Sequence, residues 1–139
     1  MSLTFADLPL RKETIAALAE HGFTSPFPIQ EMVMPIALAD GDVIGQAKTG
    51  TGKTLAFGIP VIERVIAPND ADWPQLANQG HPQVLIVVPT RELCVQVTKD
   101  IEELCFNRGI RTLAVYGGRA FEPQIEALQK GVEIVVGTP

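Results

Sequence analysis

The segment Gly45-Gln46-Ala47-Lys48-Thr49-Gly50-Thr51-Gly52-Lys53-Thr54 lies between a short apolar run, Asp42-Val43-Ile44, and the apolar opening Leu55-Ala56-Phe57. The order reads as a strand, a glycine loop and the start of a helix, which is the order a phosphate site needs. Glycines let consecutive backbone N–H groups turn inward on an anion, and a helix N-terminus adds unpaired donors and a positive dipole end. In such a loop Lys53 reaches the β- and γ-phosphates and the Thr54 hydroxyl ligates Mg²⁺. The strict pattern asks for Gly where Ala47 stands, so the residues alone also allow a glycine loop that merely looks similar.

Composition narrows the class. A chain of 139 residues holds at most one domain, and 46% apolar residues suit a globular fold. No apolar run approaches the ~20 residues that cross a bilayer, so no membrane association is expected. The start, Met1-Ser2-Leu3-Thr4-Phe5-Ala6-Asp7, lacks the basic and apolar regions of a signal peptide. Cys94 and Cys105 fall within one helical pattern, three turns apart, too far for a disulfide. They read as buried thiols of a reducing, cytoplasmic compartment. The net charge of −5 argues against nucleic acid wrapped over the whole surface and leaves room for a local basic track.

Along the chain, a helix is expected from Arg11 to about Ala19 and is ended by Gly22. A proline-held loop follows over 22–30, then a second helix from Gln30 to Ala39. The helix after the glycine loop carries Leu55, Ile59, Ile62 and Ile66 at helical spacing, with Pro60 inside it. A long polar loop spans 67–82, and its Trp73 and His81 read as loop-packing or surface residues. Val84-Leu85-Ile86-Val87-Val88 is an unbroken apolar run, the pattern of a parallel strand covered on both faces. Thr90 is a plausible N-cap for the long helix that follows. A strand at 110–116, a short helix and a strand at 133–136 complete an alternating pattern, which implies a parallel α/β sheet with ligands at the strand C-terminal ends.

Segments 45–54, 89–93, 117–118 and 137–139 all fall at such ends. With 22–30 they resemble, in order and over nearly the whole chain, the DEAD-box ATP-dependent RNA helicases, as the first part of an N-terminal RecA-like domain. Gly22-Phe23-x-x-Pro26-x-x-Ile29-Gln30 is similar to the family's Q motif, with Phe5 at the upstream aromatic position. Ala47 through Thr54 is similar to motif I, whose family form has Ala where the general loop has Gly. Lys48 replaces the commoner Gln. Pro89-Thr90-Arg91-Glu92-Leu93 resembles motif Ia, Gly117-Gly118 the paired-glycine motif and Thr138-Pro139 the start of motif Ib.

The resemblance implies a RecA-like P-loop fold, a parallel sheet flanked by helices, in two parts. Residues 1–40 would form the Q-motif region and residues 41–139 the first part of the ATP-binding domain. It implies ATP and Mg²⁺ as cofactors. Gln30 would read the adenine edge, Phe23 would pack on the ring, and Ala47, Lys48, Thr49, Gly50, Thr51, Gly52, Lys53 and Thr54 would hold the phosphates. Lys53 and Thr54 would act in catalysis. Pro89, Thr90, Arg91, Gly117, Gly118 and Thr138 would contact the RNA sugar–phosphate chain without reading sequence, and Arg119 is a further candidate. On residues alone, Arg91 reads as a solvated helix-start cation or an ion-pair partner of a carboxylate such as Glu92, and Gly117-Gly118 as an ordinary turn after a strand.

The acidic segment that names the family, the Ser-Ala-Thr motif and the second RecA-like domain would all lie beyond Pro139. The 139 residues are therefore expected to need the remainder of a helicase chain for ATP turnover or unwinding. Strand 43–45 is expected to lack its neighbour and leave an open apolar edge. Two other readings remain open at this stage: a non-enzymatic piece that binds nucleotide or RNA, and another P-loop enzyme such as a kinase.

Overall fold

A computed structural model describes residues 2–48 and 52–139, with the side chain of Phe106 left out. The chain divides into two compact units, Met1–Arg64 and Val65–Pro139.

The first unit is helical. Thr4 and Asp7 cap a short 3₁₀ turn over Phe5–Asp7 reciprocally: the Thr4 N–H and hydroxyl donate to Asp7 Oδ2 at 2.9 and 2.8 Å. Helices α1 (Lys12–Glu20), α2 (Pro28–Leu38) and α3 (Lys53–Arg64) follow. Gly22 ends α1 with φ +79, a conformation that favours glycine. The Thr14 hydroxyl of α1 donates to Glu63 of α3, and the Arg11 N–H donates to the same carboxylate at 3.1 Å. Arg64, next to Glu63 at the same C-terminal end of α3, ties that end to α2, donating to Ala37 O at 2.9 Å and pairing with Asp40 at 2.9 Å. Leu18, Met34, Ile59 and Ile62 are fully buried.

The strand expected at 43–45 does not form, and residues 41–48 are irregular. Ile44 is fully exposed. A strand satisfies its backbone groups only through a neighbour, and no strand pairs with this segment among the described residues. The inner faces of α2 and α3 stay partly uncovered as a result. A cavity of about 430 Å³ lies against Ile29, Val33 and Ala37 of α2 and Ala56, Phe57 and Pro60 of α3.

The second unit is a three-stranded parallel sheet with helices. Its elements are β1 (Val84–Val87), α4 (Arg91–Cys105), β2 (Thr112–Val115), α5 (Phe121–Lys130) and β3 (Ile134–Gly137). The strand order is β1-β3-β2, with Val84 opposite Ile134 and Thr112 opposite the other edge of Ile134. Helix α4 packs against β2 and β3, burying Cys94, Val97, Ile101 and Leu104. Both cysteines are free thiols inside this helix, as their spacing predicts. The expected cover on both faces of β1 holds for Ile86 and fails for Leu85 and Val87, which are 68% and 62% exposed. Strand β1 is at the sheet edge, and one face of it finds no helix among the described residues of the second unit.

The long loop before β1 is pinned along its length. Gln83 exchanges two hydrogen bonds with the main chain of Ile66, at 2.9 and 2.8 Å. Buried Arg108 donates to Val65 O and to Asp70 Oδ2, both at 2.6 Å. Trp73 lies under the Arg111 guanidinium, 6.0 Å from ring centre to Cζ, and His81 is exposed. Arg111 in turn grips Glu133, which is fully buried: its Nε lies 3.1 Å from Oε1, and its backbone N–H donates to the same oxygen at 2.8 Å.

Candidate functional site

In the first unit one residue singled out by sequence, Gln30, reaches the start of α3. Helix α2 begins with Pro28 at its first position, which suits the fixed φ of proline. Three residues in, Gln30 turns its side chain back so that Oε1 accepts the Phe27 N–H at 2.9 Å. Its Nε2 donates to the Gly52 carbonyl at 2.9 Å. That carbonyl also accepts the Ala56 N–H at 3.2 Å, the bond that opens α3. Gln30 is therefore the joint between the proline loop and the last glycine of the phosphate-loop motif, and it is 1% exposed.

Gly52 has φ +80. A Cβ there would meet Gln30 Nε2 and approach Phe27 Cδ2 to 2.6 Å, so both backbone conformation and space require glycine. Lys53 and Thr54 follow as the first two residues of α3, where backbone N–H groups have no intrahelical acceptor. The Lys53 side chain is exposed and Thr54 is half-buried. Ala47 is half-buried and Lys48 exposed, while Thr49, Gly50 and Thr51 lie outside the described residues.

The two aromatic residues differ. Phe23 is 40% exposed, with its N–H on Leu18 O at 2.9 Å. Phe5 is buried, and its N–H donates to Thr24 O at 3.0 Å. Phe5 thus holds the loop from beneath and presents no free ring face. Phe27 is a residue that sequence reasoning passed over. It is 47% exposed beside Gly52, and its only signal was a place between two prolines one turn before Gln30.

In the second unit, all three remaining segments follow the C-terminal ends of their strands. Thr90 caps α4 as expected: its hydroxyl accepts the Leu93 N–H at 3.2 Å, and its carbonyl accepts the Cys94 N–H at 3.0 Å. Thr138 is tied to the end of β2 through its N–H on Val115 O at 3.1 Å. Arg91, Gly117 and Thr138 share the lining of one cleft of about 550 Å³ with Tyr116 and Phe121. Pro89 and Thr90 sit at the exposed turn before α4. Gly118 has φ +83 and lies against the Arg91 guanidinium. Arg119 stacks on Tyr116, with Cζ 4.7 Å from the ring centre. Tyr116 was also missed in the sequence, where an aromatic residue just before paired glycines reads as the end of a strand.

No cluster of three or more His, Cys, Asp or Glu side chains suited to a metal exists among the described residues. Thr54 is the single expected protein ligand, which fits Mg²⁺ in kind, since that ion keeps several waters and takes its other ligands from phosphates.

Comparison with known proteins bears on the whole chain. Residues 27–139 match the DEAD/DEAH box helicase family. The chain is 43% identical over 136 residues to the DEAD-box ATP-dependent RNA helicase CshA of Geobacillus kaustophilus, covering 98% of the chain and 27% of that protein. It is 43% identical over 134 residues to the ATP-dependent RNA helicase RhlB of Shewanella denitrificans, covering 96% of the chain and 30% of the relative. Among solved structures, a DEAD box protein from the hyperthermophile Methanococcus jannaschii superposes with a TM-score of 0.85 at 39% identity, over the full chain and 36% of its own length. The chain therefore spans about a third or less of the length of these relatives.

Proposed function

We propose, for a chain that belongs to the DEAD/DEAH box helicase family, that it supplies the adenine-recognising and phosphate-holding part of an ATP-driven RNA-remodelling enzyme. The observation that carries this reading is the bond from Gln30 Nε2 to the Gly52 carbonyl. It places a side chain able to donate and accept at once one residue from Lys53, at the start of a helix suited to anions.

When nucleotide is bound, ATP with Mg²⁺ supplies the transferable phosphoryl group and the charge that the loop must balance. Gln30 then exchanges part of its present bonding for the adenine edge, and Phe23 offers its half-exposed ring to the base. Lys53 brings a cation to the phosphates, Thr54 its hydroxyl to Mg²⁺, and Gly52 the close backbone approach. Lys48 and Ala47, with Thr49, Gly50 and Thr51, complete the loop. Phe5 contributes from below by fixing the loop through Thr24.

In the second unit Arg91 offers charge and Thr90 and Thr138 offer hydroxyls to an RNA backbone. Pro89, Gly117 and Gly118 shape the turns that let it approach. Such contacts position RNA without reading its sequence. The free, buried state of Cys94 and Cys105 supports work in a reducing compartment, the cytoplasm.

The test is RNA-stimulated ATP hydrolysis by the protein carrying this segment at the full length of its relatives. Hydrolysis that rises with RNA and is lost in Lys53→Ala is the expected result. Hydrolysis indifferent to RNA, or retained in Lys53→Ala, would contradict the reading.

A further inference from the structure

The paired glycines after β2 are not equivalent. A Cβ built on Gly117 would meet nothing within 4 Å, and Gly117 lines the cleft at the strand ends. A Cβ built on Gly118 would lie 2.7 Å from Arg91 Nη1, 3.0 Å from Cζ and 3.2 Å from Nη2. All three distances are short and similar, so the guanidinium lies flat over the place a side chain would take. From these distances we infer that Gly118 is a positioning residue: it is the seat on which Arg91 is held for RNA, and its own backbone is not the surface that RNA approaches. The inference rests on the RNA reading of this edge and assigns it a division of labour.

Arg91 is the first residue of α4, and its long side chain has many rotamers to lose. A guanidinium is planar and carries its five N–H groups in that plane. Laying one face on a bare main chain restricts the rotamers while the in-plane donors stay outside the contact. Any Cβ at 118 must displace the group, because backbone lies on the near side. The neighbouring Tyr116–Arg119 stack holds the following residue on a separate aromatic support, so the turn carries two cations by two different means.

The test uses the full-length protein, a fluorescein-labelled single-stranded oligouridylate, and affinities measured across a salt series. Arg91→Ala should weaken binding about tenfold and reduce the slope of log K against log salt by about 0.7, the value for one phosphate contact on a single strand. Gly118→Ala and Gly118→Asn should show the same loss and the same slope change. Neither should add to Arg91→Ala when combined with it. Asn is included because it tolerates positive φ far better than Ala, which guards against a variant that fails to fold. Gly117→Ala should be additive with Arg91→Ala.

Additive effects of Gly118→Asn and Arg91→Ala, or unchanged binding in Gly118→Asn, would overturn the inference. A second readout needs no RNA: the Arg91 Nε–H order parameter in the free protein should fall in Gly118→Asn and stay unchanged in Gly117→Ala. If the unaltered protein does not bind the oligomer, the RNA reading falls, and the order parameter alone then decides whether Gly118 seats Arg91.

Discussion

Gln30 Nε2 lies 2.9 Å from the Gly52 carbonyl oxygen, across 22 residues of sequence, and its Oε1 holds the Phe27 N–H at the same distance. One amide thereby caps α2 and anchors the start of α3. Gln30→Ala removes both bonds from a site that is 1% exposed, leaving the Phe27 N–H without this acceptor and the Gly52 carbonyl with the Ala56 N–H alone. Chemical denaturation should show a loss of about 1–3 kcal/mol. Gln30→Glu keeps the acceptor for Phe27 and sets a carboxylate against the Gly52 carbonyl, so it should be no more stable than Gln30→Ala. Parental stability in Gln30→Ala would show that the amide does not join the two helices.

Gly22 and Gly52 form a matched pair, with φ +79 and +80. A side chain at Gly22 enters open space, whereas one at Gly52 collides with Gln30 and Phe27. Gly22→Ala should cost about 1 kcal/mol from backbone strain alone. Gly52→Ala should cost more by a further 1 kcal/mol or about that, from the displaced neighbours. Equal losses in the two variants would mean that the crowding around Gly52 relaxes freely.

Arg111 and Glu133 provide a test in the second unit. The carboxylate is fully buried and its main partner is this guanidinium, whose pKa is raised chiefly by their hydrogen bond. Arg111→Ala strands the buried charge and also removes the cation over Trp73. A loss of about 2–4 kcal/mol is expected, together with a change in Trp73 fluorescence. The double variant Arg111→Leu, Glu133→Leu should recover much of that loss, since an unpaired charge would no longer be buried. No recovery would place the effect in lost packing of Arg111.

Burial is the main cause that pushes the Cys105 thiol up from 9.0 to about 11. Below pH 9 the thiol is neutral in both folded and unfolded chains and its stabilising packing is fully present. Between pH 9 and about 11 only the unfolded chain ionises. Stability should then fall with rising pH, by about 1.4 kcal/mol per unit from this group. Cys105→Ala should flatten that decline while lowering stability at pH 7, and native Cys105 should resist alkylation at pH 8. Rapid alkylation of the native thiol would contradict this account.

Much of the second unit was legible because its signals are local. The apolar run at 84–88, the Thr90 cap and the helical stripe Leu93, Val97, Ile101 and Leu104 each state their structure within a few residues, although Leu93, in the first turn, stays exposed. The strand at 43–45 failed because an apolar triplet cannot form ladder bonds without a neighbour, and sequence periodicity says nothing of the neighbour. The same limit hid the exposed face of β1. At the site, motif spacing brought Gln30 and Lys53 to notice. It could not reveal that Gln30 is committed to Gly52, that Phe5 faces inward, or that Arg91 rests on Gly118. Those relations join residues 19 or more positions apart through φ values and close contact, which no spacing encodes.

The measurement closest to the central claim is calorimetric titration of the full-length protein with ATP and with GTP, repeated for Gln30→Ala and Lys53→Ala. The account predicts that ATP binds at least tenfold tighter than GTP, that Gln30→Ala removes the preference, and that Lys53→Ala weakens both nucleotides. Equal affinity for ATP and GTP in the unaltered protein, or unchanged ATP affinity in Lys53→Ala, would contradict it.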